Sequence, residues 1–374
     1  MSAKQDTQHY IGLMSGTSLD GVDAVLAATT PAGPLQVLDH AFAPFEPGLR
    51  AELLALNTPG ENELHRAALA ANGVARAYAH LAQTLTLRHP SLTIRALGVH
   101  GQTVRHRPGE FDGCGYTVQL LNAPLLAELC GIGVVADLRS RDVAAGGQGA
   151  PLVPAFHQAM FADRCEAVLN IGGISNISLL GRGPDAAPRG FDCGPGNCLM
   201  DFWISQHQGL PYDANGAWAA QGQVLPELLS EMLAEPFFQL PPPRSTGRDL
   251  FNPAWLQARL DALPASPAPE DVQASLLELT ALSIAQALLT HGSPAGRLAV
   301  CGGGALNGRL MQRLAQALPG WTLQPSDALG LPAMQVEAAA FAWLAQRHCE
   351  GLPGNLPAVT GARGPRVLGA WHPA

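Results

Sequence analysis

The chain has 374 residues, of which 47% are apolar and 14% charged, and its formal net charge is −8. This balance predicts a globular protein with a large core and excludes the basic surface that nucleic-acid-binding proteins use. Lys4 is the only lysine in the sequence. Its position in the polar leader excludes a P-loop, a protein-kinase strand lysine and a Schiff-base enzyme.

The cysteines and the first ten residues bear on the compartment. The seven cysteines are scattered and form no C-x-x-C pair, so we expect neither a disulfide framework nor a structural zinc site. The opening MSAKQDTQHY lacks the cationic and then apolar pattern of a secretion signal, and we expect no segment long and apolar enough to span a bilayer. The sequence therefore predicts a cytoplasmic protein that binds no membrane.

The first predicted element is a hairpin in residues 10–26, YIGLMSGTSLDGVDAVL. Apolar runs on either side of a Gly, Ser, Thr and Asp centre predict two strands joined by a tight turn lined with hydroxyl groups. A turn of this composition often binds an anion.

Helices and strands alternate after the hairpin, which predicts an α/β architecture. Residues 64–89 have helical spacing, and short strands follow near residues 94–104 and 133–136. A second apolar hairpin with a Gly-Gly centre occupies residues 166–181, and a long helix occupies residues 271–292, with Asp271 and Gly292 as candidate caps.

Two α/β lobes are the simplest interpretation of this order. We expect the first lobe to comprise residues 1–138, with the C-terminal helix and tail, about residues 335–374, as a candidate return to it. The second lobe would comprise residues 139–334. A proline-rich stretch at residues 236–253 is predicted to be an ordered surface loop.

Two glycine-rich motifs each allow a functional and a structural interpretation. CGGGALNG, at residues 301–308, lies between a strand and a helix, where it can let a nucleotide approach the backbone or form an ordinary tight turn. In GFDCGPGNCLMD, at residues 190–201, Asp192 precedes a turn into a predicted helix. Its carboxylate is either a general base or the N-cap of that helix.

Other polar residues near predicted strand ends are candidate substrate contacts, since ligands of α/β sheets gather there. They are His100, Gln102, Thr103, Arg139, Arg141 and Asp142. His100 could equally be a hydrogen-bonded core histidine. Glu337 lies on an otherwise apolar helix, where an acid is either exposed to solvent or functional.

Taken together, nine motifs resemble those of the anhydro-N-acetylmuramic acid kinases, a family within the sugar kinase, actin and heat-shock chaperone ATPase superfamily. They occur in one order over nearly the whole chain: MSGTSLDGVD, HGQTV, DVAAGGQGAPLVPAFH, LNIGGISN, FDCGPGN, STGRDLFN, CGGGALN, FAWLA and LPGNLPAVTGA.

The resemblance implies a two-lobed, actin-like ATPase fold of the ribonuclease H type, with ATP in the cleft between the lobes. It implies a first phosphate-binding turn, a second one in residues 170–176, and an adenosine-binding segment. The matching positions are Gly16, Thr17, Ser18, Leu19, Asp20, Gly21, Val22 and Asp23 in the first turn; Gly172, Gly173 and Asn176 in the second; and Gly302, Gly303 and Gly304 near the adenosine. Mg²⁺ would be held through water by Asp20 or Asp23.

The family reaction couples hydrolysis to phosphorylation. Asp192 matches the catalytic base, which activates water to attack C1 of 1,6-anhydro-N-acetylmuramic acid while O6 takes the γ-phosphoryl group of ATP. Arg141 and Glu337 match positions near the sugar, and the product is N-acetylmuramate 6-phosphate of cell-wall recycling. The family commonly has three consecutive arginines before Asp142, where this chain has Ser140 in the middle. The resemblance also suggests a homodimer.

Two alternatives belong to the same fold. One is a plain sugar kinase, in which Asp192 deprotonates a substrate hydroxyl instead of water. The other is an ATP-gated scaffold or chaperone like actin. It would need polymerisation or peptide-binding elements, which no appended segment of this sequence supplies.

Overall fold

A computed structural model describes residues 7–16, 19–30, 34–181, 187–248 and 250–374. The chain divides into two compact units, one of residues 1–160 and 335–374 and the other of residues 161–334. The first unit therefore extends beyond the expected limit at residue 138. The reason is that buried Asp142 accepts hydrogen bonds from Asn355 (2.6 Å) and Thr360 (2.8 Å), which ties residues 139–160 to the C-terminal tail.

The first unit is built on a mixed sheet with the strand order β13-β7-β4-β1-β2-β3 and a separate β5-β6 hairpin. Strand β2 is antiparallel to its neighbours β1 and β3, whereas β1, β4 and β7 are parallel. The elements of this unit are β1 (Gln8–Met14), β2 (Gly21–Thr29), β3 (Gln36–Pro44), α1 (Pro47–Ala55), α2 (Glu63–Arg88), β4 (Ile94–Val99), β5 (Gln102–Pro108), β6 (Gly115–Leu120), α3 (Ala123–Cys130), β7 (Val134–Ala136), α4 (Ser140–Ala144), α5 (Val153–Phe161, which ends at the first residue of the other unit), α11 (Val336–Cys349), α12 (Pro357–Thr360) and β13 (Ala370–His372).

Helix α11 packs directly against β1 and β4 because both strands carry a glycine at the contact. A side chain on Gly12 would overlap the carbonyl oxygen of Ala338, and one on Gly98 would overlap that of Phe341. The missing Cβ atoms let the helix backbone approach the sheet closely. This docking brings Glu337, in the first turn of α11, to the carboxyl ends of the parallel strands.

The second unit repeats the strand order of the first. Its sheet runs β10-β9-β8-β11-β12, with β8, β9 and β10 antiparallel and β8, β11 and β12 parallel. The elements are β8 (Ala167–Ile171), β9 (Ile174–Leu179), β10 (Arg189–Pro195), α6 (Cys198–Gln208), α7 (Pro226–Leu233), α8 (Pro253–Asp261), α9 (Pro269–His291), β11 (Gly296–Cys301), α10 (Gly308–Ala317) and β12 (Trp321–Pro325). A sheet of this topology in each unit confirms the predicted α/β, ribonuclease H-like fold class.

Helix α9 corrects one expectation. Within the described residues it is the one helix long and apolar enough to cross a membrane, with a mean hydropathy of 1.4 over its best window. However, 83% of that window is buried, so the apolar residues belong to the core of the second unit.

Two predicted caps also need correction. Asp192 lies on β10 and is not an N-cap, because α6 begins later and Asn197 occupies the cap position. Asp271 lies within the first turn of α9, after the capping residue Ala268. There its negative charge interacts favourably with the positive end of the helix dipole. Gly292 is the C-cap of α9 as predicted.

Candidate functional site

The turn between β1 and β2 carries the predicted first phosphate site. Thr17 and Ser18 lie outside the described residues. The amide of Leu19 donates to the carbonyl of Gly16 at 3.2 Å, and Leu19 has a positive φ of 58°. Its own carbonyl accepts from Nε of Arg50 at 3.0 Å, so both sides of the turn are fixed by hydrogen bonds.

Buried side chains form hydrogen bonds to the residues at the start of this turn. The amide group of Gln102 donates to the carbonyl of Gly16 at 3.1 Å. The hydroxyl of Ser15 lies 2.8 Å from that of Tyr78, and the carbonyl of Ser15 lies 3.1 Å from Nδ1 of His100. These contacts set the backbone position of the residues that precede the hydroxyl-lined centre.

The hydrogen bonds of His100 fix its tautomer. Nε and Nη2 of Arg139 lie 3.1 and 2.9 Å from Nε2 of the ring, and a guanidinium can only donate. Nε2 is therefore the acceptor, and Nδ1 carries the proton that it donates to Ser15. Burial and, second, Arg139 lower the pKa of His100 to about 3. With both ring nitrogens engaged, this residue supports the turn in the structure, and neither nitrogen is available to a sugar.

The carboxylates after the turn have different surroundings. Asp20 is exposed, whereas Asp23, on β2, is partly buried with Oδ1 3.1 Å from Nε2 of His40. Gly21 and Val22 belong to β2, where Val22 is buried in the core and Gly21 packs against the backbone of Ala43. Only Asp20 and Asp23 of this segment thus offer side-chain oxygens to a ligand or an ion.

Glu337 completes the polar cluster of the first unit. Removal from water and, second, the charge of Asp23 raise its pKa, and Arg139 opposes them. Arg141 is exposed on α4, and Thr103 is the second residue of β5, where its hydroxyl accepts from Gln119 at 3.2 Å. The structure therefore groups Asp23 with Glu337, while Arg141 and Thr103 are not part of this cluster.

In the second unit, a polar row crosses the sheet where β8 and β11 end. Asp192 on β10 is the register partner of Asn176 on β9, which is in turn the partner of Asn170 on β8. Residues directly opposite one another project from the same face of a sheet. The predicted base and the predicted second phosphate-binding turn therefore lie on one face.

Glycines surround this row. A side chain on Gly302, whose φ is 78°, would overlap the amide oxygen of Asn170, and one on Gly304 would overlap Ile171. A Cβ on Gly172, Gly173 or Gly303 would meet its nearest neighbour at 3.6 Å, which is an ordinary contact distance. The close approaches at Gly302 and Gly304 explain how the turn after β11 packs against β8, whereas the other three glycines are packed less tightly.

Asp192 is partly buried and sits at a β-bulge between Asp192 and Gly194. Oδ2 accepts a hydrogen bond from the amide of Thr246 at 2.9 Å, and no other described residue hydrogen-bonds to this carboxylate. Burial raises the pKa of Asp192 to about 6, against the smaller opposing effects of Thr246 and Arg244. Such a group is ionised at neutral pH and still basic enough to accept a proton.

Among three arginines of these clusters, the sequence made Arg139 a candidate substrate contact and gave no role to Arg244 and Arg248. Arg139 supports His100, Arg244 contacts Asp192, and Arg248 has its guanidinium beside Gly173, 3.6 Å from where a Cβ would lie. The sequence could have indicated Arg248, because this residue belongs to STGRDLFN, one of the nine motifs. Among the described residues, no three His, Cys, Asp or Glu side chains form a metal-binding group.

Known proteins resemble this chain along nearly its whole length. The family profile for anhydro-N-acetylmuramic acid kinase matches residues 8–374. A protein of that name from Variovorax paradoxus is 61% identical over 98% of this chain and 99% of its own length, and one from Cupriavidus pinatubonensis is 58% identical over 97% and 98%. Among solved structures, the activator of the 2-hydroxyisocaproyl-CoA dehydratase from Clostridium difficile is 12% identical, with a TM-score of 0.46 over 92% of this chain and 97% of its own.

The profile match and the identity of these relatives both extend along nearly the entire sequence. They confirm the resemblance drawn from the nine motifs, and this chain belongs to the anhydro-N-acetylmuramic acid kinase family.

Proposed function

We propose that this protein cleaves the 1,6-anhydro ring of 1,6-anhydro-N-acetylmuramic acid with water and phosphorylates O6 with ATP. The single observation that carries the proposal is the carboxylate of Asp192, which is partly buried, has a pKa of about 6 and binds Thr246 through one oxygen only. A base of this kind can accept the proton of an attacking water.

The proposed step balances without an acid catalyst at O6. Water attacks C1 and gives its proton to Asp192, while the C1–O6 bond breaks through an oxocarbenium-like state. O6 then forms a bond to the γ-phosphorus, and the bond from that phosphorus to the β,γ-bridging oxygen breaks to release ADP. The phosphoryl group replaces the proton that O6 would otherwise take up.

The residues present fit an anionic nucleotide. We assign the phosphates to the turn after Ser15, in which Gly16 and Leu19 are fixed by a hydrogen bond, and to the turn of Gly172 and Gly173 in the second unit. Arg248, beside Gly173, would supply a positive charge to the phosphates in place of a lysine. Gly302, Gly303 and Gly304 are assigned to the adenosine, and Asn176 to the second phosphate-binding turn.

The residues also fit a magnesium ion held mainly by phosphate oxygens and water. Among the described residues, no set of three acidic, cysteine or histidine side chains surrounds a common point, whereas Asp23 and exposed Asp20 can hydrogen-bond coordinated water. Mg²⁺ would neutralise phosphate charge when bound. The homodimer, the cytoplasmic location and the substrate contacts of Thr103 and Arg141 stay predictions.

Product mass tests the proposal directly. The protein is incubated with Mg·ATP and the anhydro sugar, and the product is analysed by mass spectrometry at early times. The coupled reaction adds one phosphoryl group and one water, whereas a plain sugar kinase adds the phosphoryl group alone. In ¹⁸O-labelled water the coupled product carries the label at C1, with preformed product as the control for exchange. No nucleotide consumption in the presence of this sugar would refute the proposal.

A further inference from the structure

Strand β10 lies at an edge of its sheet, so the polar backbone groups on its outer side need partners other than a neighbouring strand. At Asp192 both partners come from Arg244. The amide of Asp192 donates to the carbonyl of Arg244 at 3.1 Å, and Nε of Arg244 donates to the carbonyl of Asp192 at 3.0 Å. The amide of Thr246, two residues after Arg244, donates a hydrogen bond to the carboxylate of Asp192.

Arg244 is itself held rigidly. Its side chain is 9% exposed, and Nη1 donates to the carbonyls of Phe238 at 3.0 Å and Leu240 at 2.9 Å. The guanidinium carbon also lies 5.1 Å from the ring centre of Phe237 and 5.6 Å from that of Phe191. A planar cation with several donors can occupy all of these positions together, which a lysine ammonium cannot.

We propose that Arg244 is a positioning residue for Asp192. It binds the outer backbone groups of β10 as a neighbouring strand would, and it fixes the β-bulge at which the Asp192 carboxylate lies. This inference deepens the function proposed above and rests on it for the role of Asp192. The proline-rich segment contributes to this positioning, because it places the carbonyls of Phe238 and Leu240 within hydrogen-bond distance of the Arg244 guanidinium.

The test separates geometry from charge with two variants. Arg244→Lys keeps the charge but loses the fork of donors, and Arg244→Met loses both. Displacement of a catalytic group by about 1 Å can lower the rate about 100-fold. We therefore expect kcat for the anhydro sugar to fall about 10–100-fold in both variants, with the KM for ATP within about two-fold of wild type.

The acid limb of the kcat profile supplies a second readout. Arg244 lowers the pKa of Asp192, so the limb should move to higher pH in Arg244→Met and stay near the wild-type position in Arg244→Lys. The other titratable groups near this pair are Cys193, whose buried thiol has a raised pKa, and His291, whose pKa is lowered by burial, Arg244 and Arg189. The single variant His291→Gln shows whether titration of His291 contributes to the acid limb of the kcat profile.

Arg259→Met is the matched control. Arg259 is an arginine of the same unit that lies 4.2 Å from the ring centre of Trp255, donates to the Trp255 carbonyl and binds Glu235. We expect both Arg259→Met and Arg244→Met to lower the Tm. Arg259→Met should leave kcat and the acid limb of its pH profile unchanged. This control separates loss of stability from loss of position.

A carboxyl titration of Asp192 by ¹³C NMR, assigned with Asp192→Asn, requires no turnover. We expect a higher pKa in Arg244→Met than in wild type. If wild-type protein consumes no ATP with the sugar, the proposed function fails and the titration still decides whether Arg244 controls this carboxylate. Wild-type kcat in folded Arg244→Lys and Arg244→Met, with an unchanged titration, overturns the inference.

Discussion

Arg139 donates from both Nε and Nη2 to Nε2 of His100, and burial together with this cation lowers the pKa of the imidazole and keeps it neutral in the core of the first unit. Nδ1 of the ring in turn donates to the carbonyl of Ser15, at the start of the turn that we propose binds phosphate. We therefore expect both stability and nucleotide affinity to depend on His100.

The first prediction concerns acid stability. Because the folded-state pKa of His100 is about 3, and an unfolded histidine titrates near about 6.5, the unfolded chain binds more protons between these values. The stability that the neutral ring contributes is therefore complete above about pH 6.5 and is lost as the pH falls towards 3. His157, whose pKa burial lowers to about 3, adds to the effect.

Urea unfolding from pH 7 to pH 4 measures this dependence. His100→Asn should reduce the slope of unfolding free energy against pH and raise the KM for ATP, because Ser15 loses its support. Exposed His65, in α2, gives the matched control His65→Asn, for which neither quantity should change. An unchanged slope in His100→Asn would contradict the assignment of a neutral ring.

The second prediction concerns the proposed base. Asp192→Asn should lower kcat about 10²–10⁴-fold, the usual effect of losing a general base, and leave ATP affinity nearly unchanged. In the wild type, kcat should fall below about pH 6, where Asp192 becomes protonated. Steady-state rates across pH 4.5–8 measure both effects, and near-normal turnover of the variant would remove Asp192 from this role.

The third prediction concerns Arg248. A hydrogen bond to a charged group contributes about 1.5–3 kcal/mol, so Arg248→Gln should weaken ATP binding about 10–100-fold. Isothermal titration calorimetry with Mg·ATP measures the affinity. Arg297→Gln is the control, because Arg297 lies at the opposite end of β11 from the glycine turn and pairs with Glu166. Equal affinities of both variants would exclude Arg248 from the phosphate site.

The fourth prediction concerns the docking of α11. Gly98→Ala would force a methyl group into the carbonyl of Phe341 and the side chain of Ala345, so the free energy of unfolding should fall by at least about 1–3 kcal/mol. Gly48→Ala is the control, since Gly48 lies within α1 with open space around it. That change should stabilise the helix by up to about 1 kcal/mol. Equal stability of the two variants in urea would show that the close approach is not required.

Periodicity and turn chemistry predicted the α/β class and both hairpins, because apolar runs around glycine and hydroxyl residues are local signals. Strand β3 was not predicted, since its exposed and partly buried positions give little contrast along QVLDHAFAP. The local sequence left Asp192 as either a general base or an N-cap, because its pKa depends on burial and on Thr246, which lies 54 positions away. The supporting roles of Arg139 and Arg244 depend on hydrogen bonds of similar sequence separation, which no local pattern records.

The interrupted course of the first unit has a consequence for the growing chain. Helix α11, which covers β1 and β4, is translated after the whole of residues 161–334. The second unit is continuous, so all of its core residues are present in the chain before those of the first unit are. Limited proteolysis of a truncated chain that ends at residue 334 should yield a protected fragment of residues 161–334 and a readily cleaved N-terminal portion.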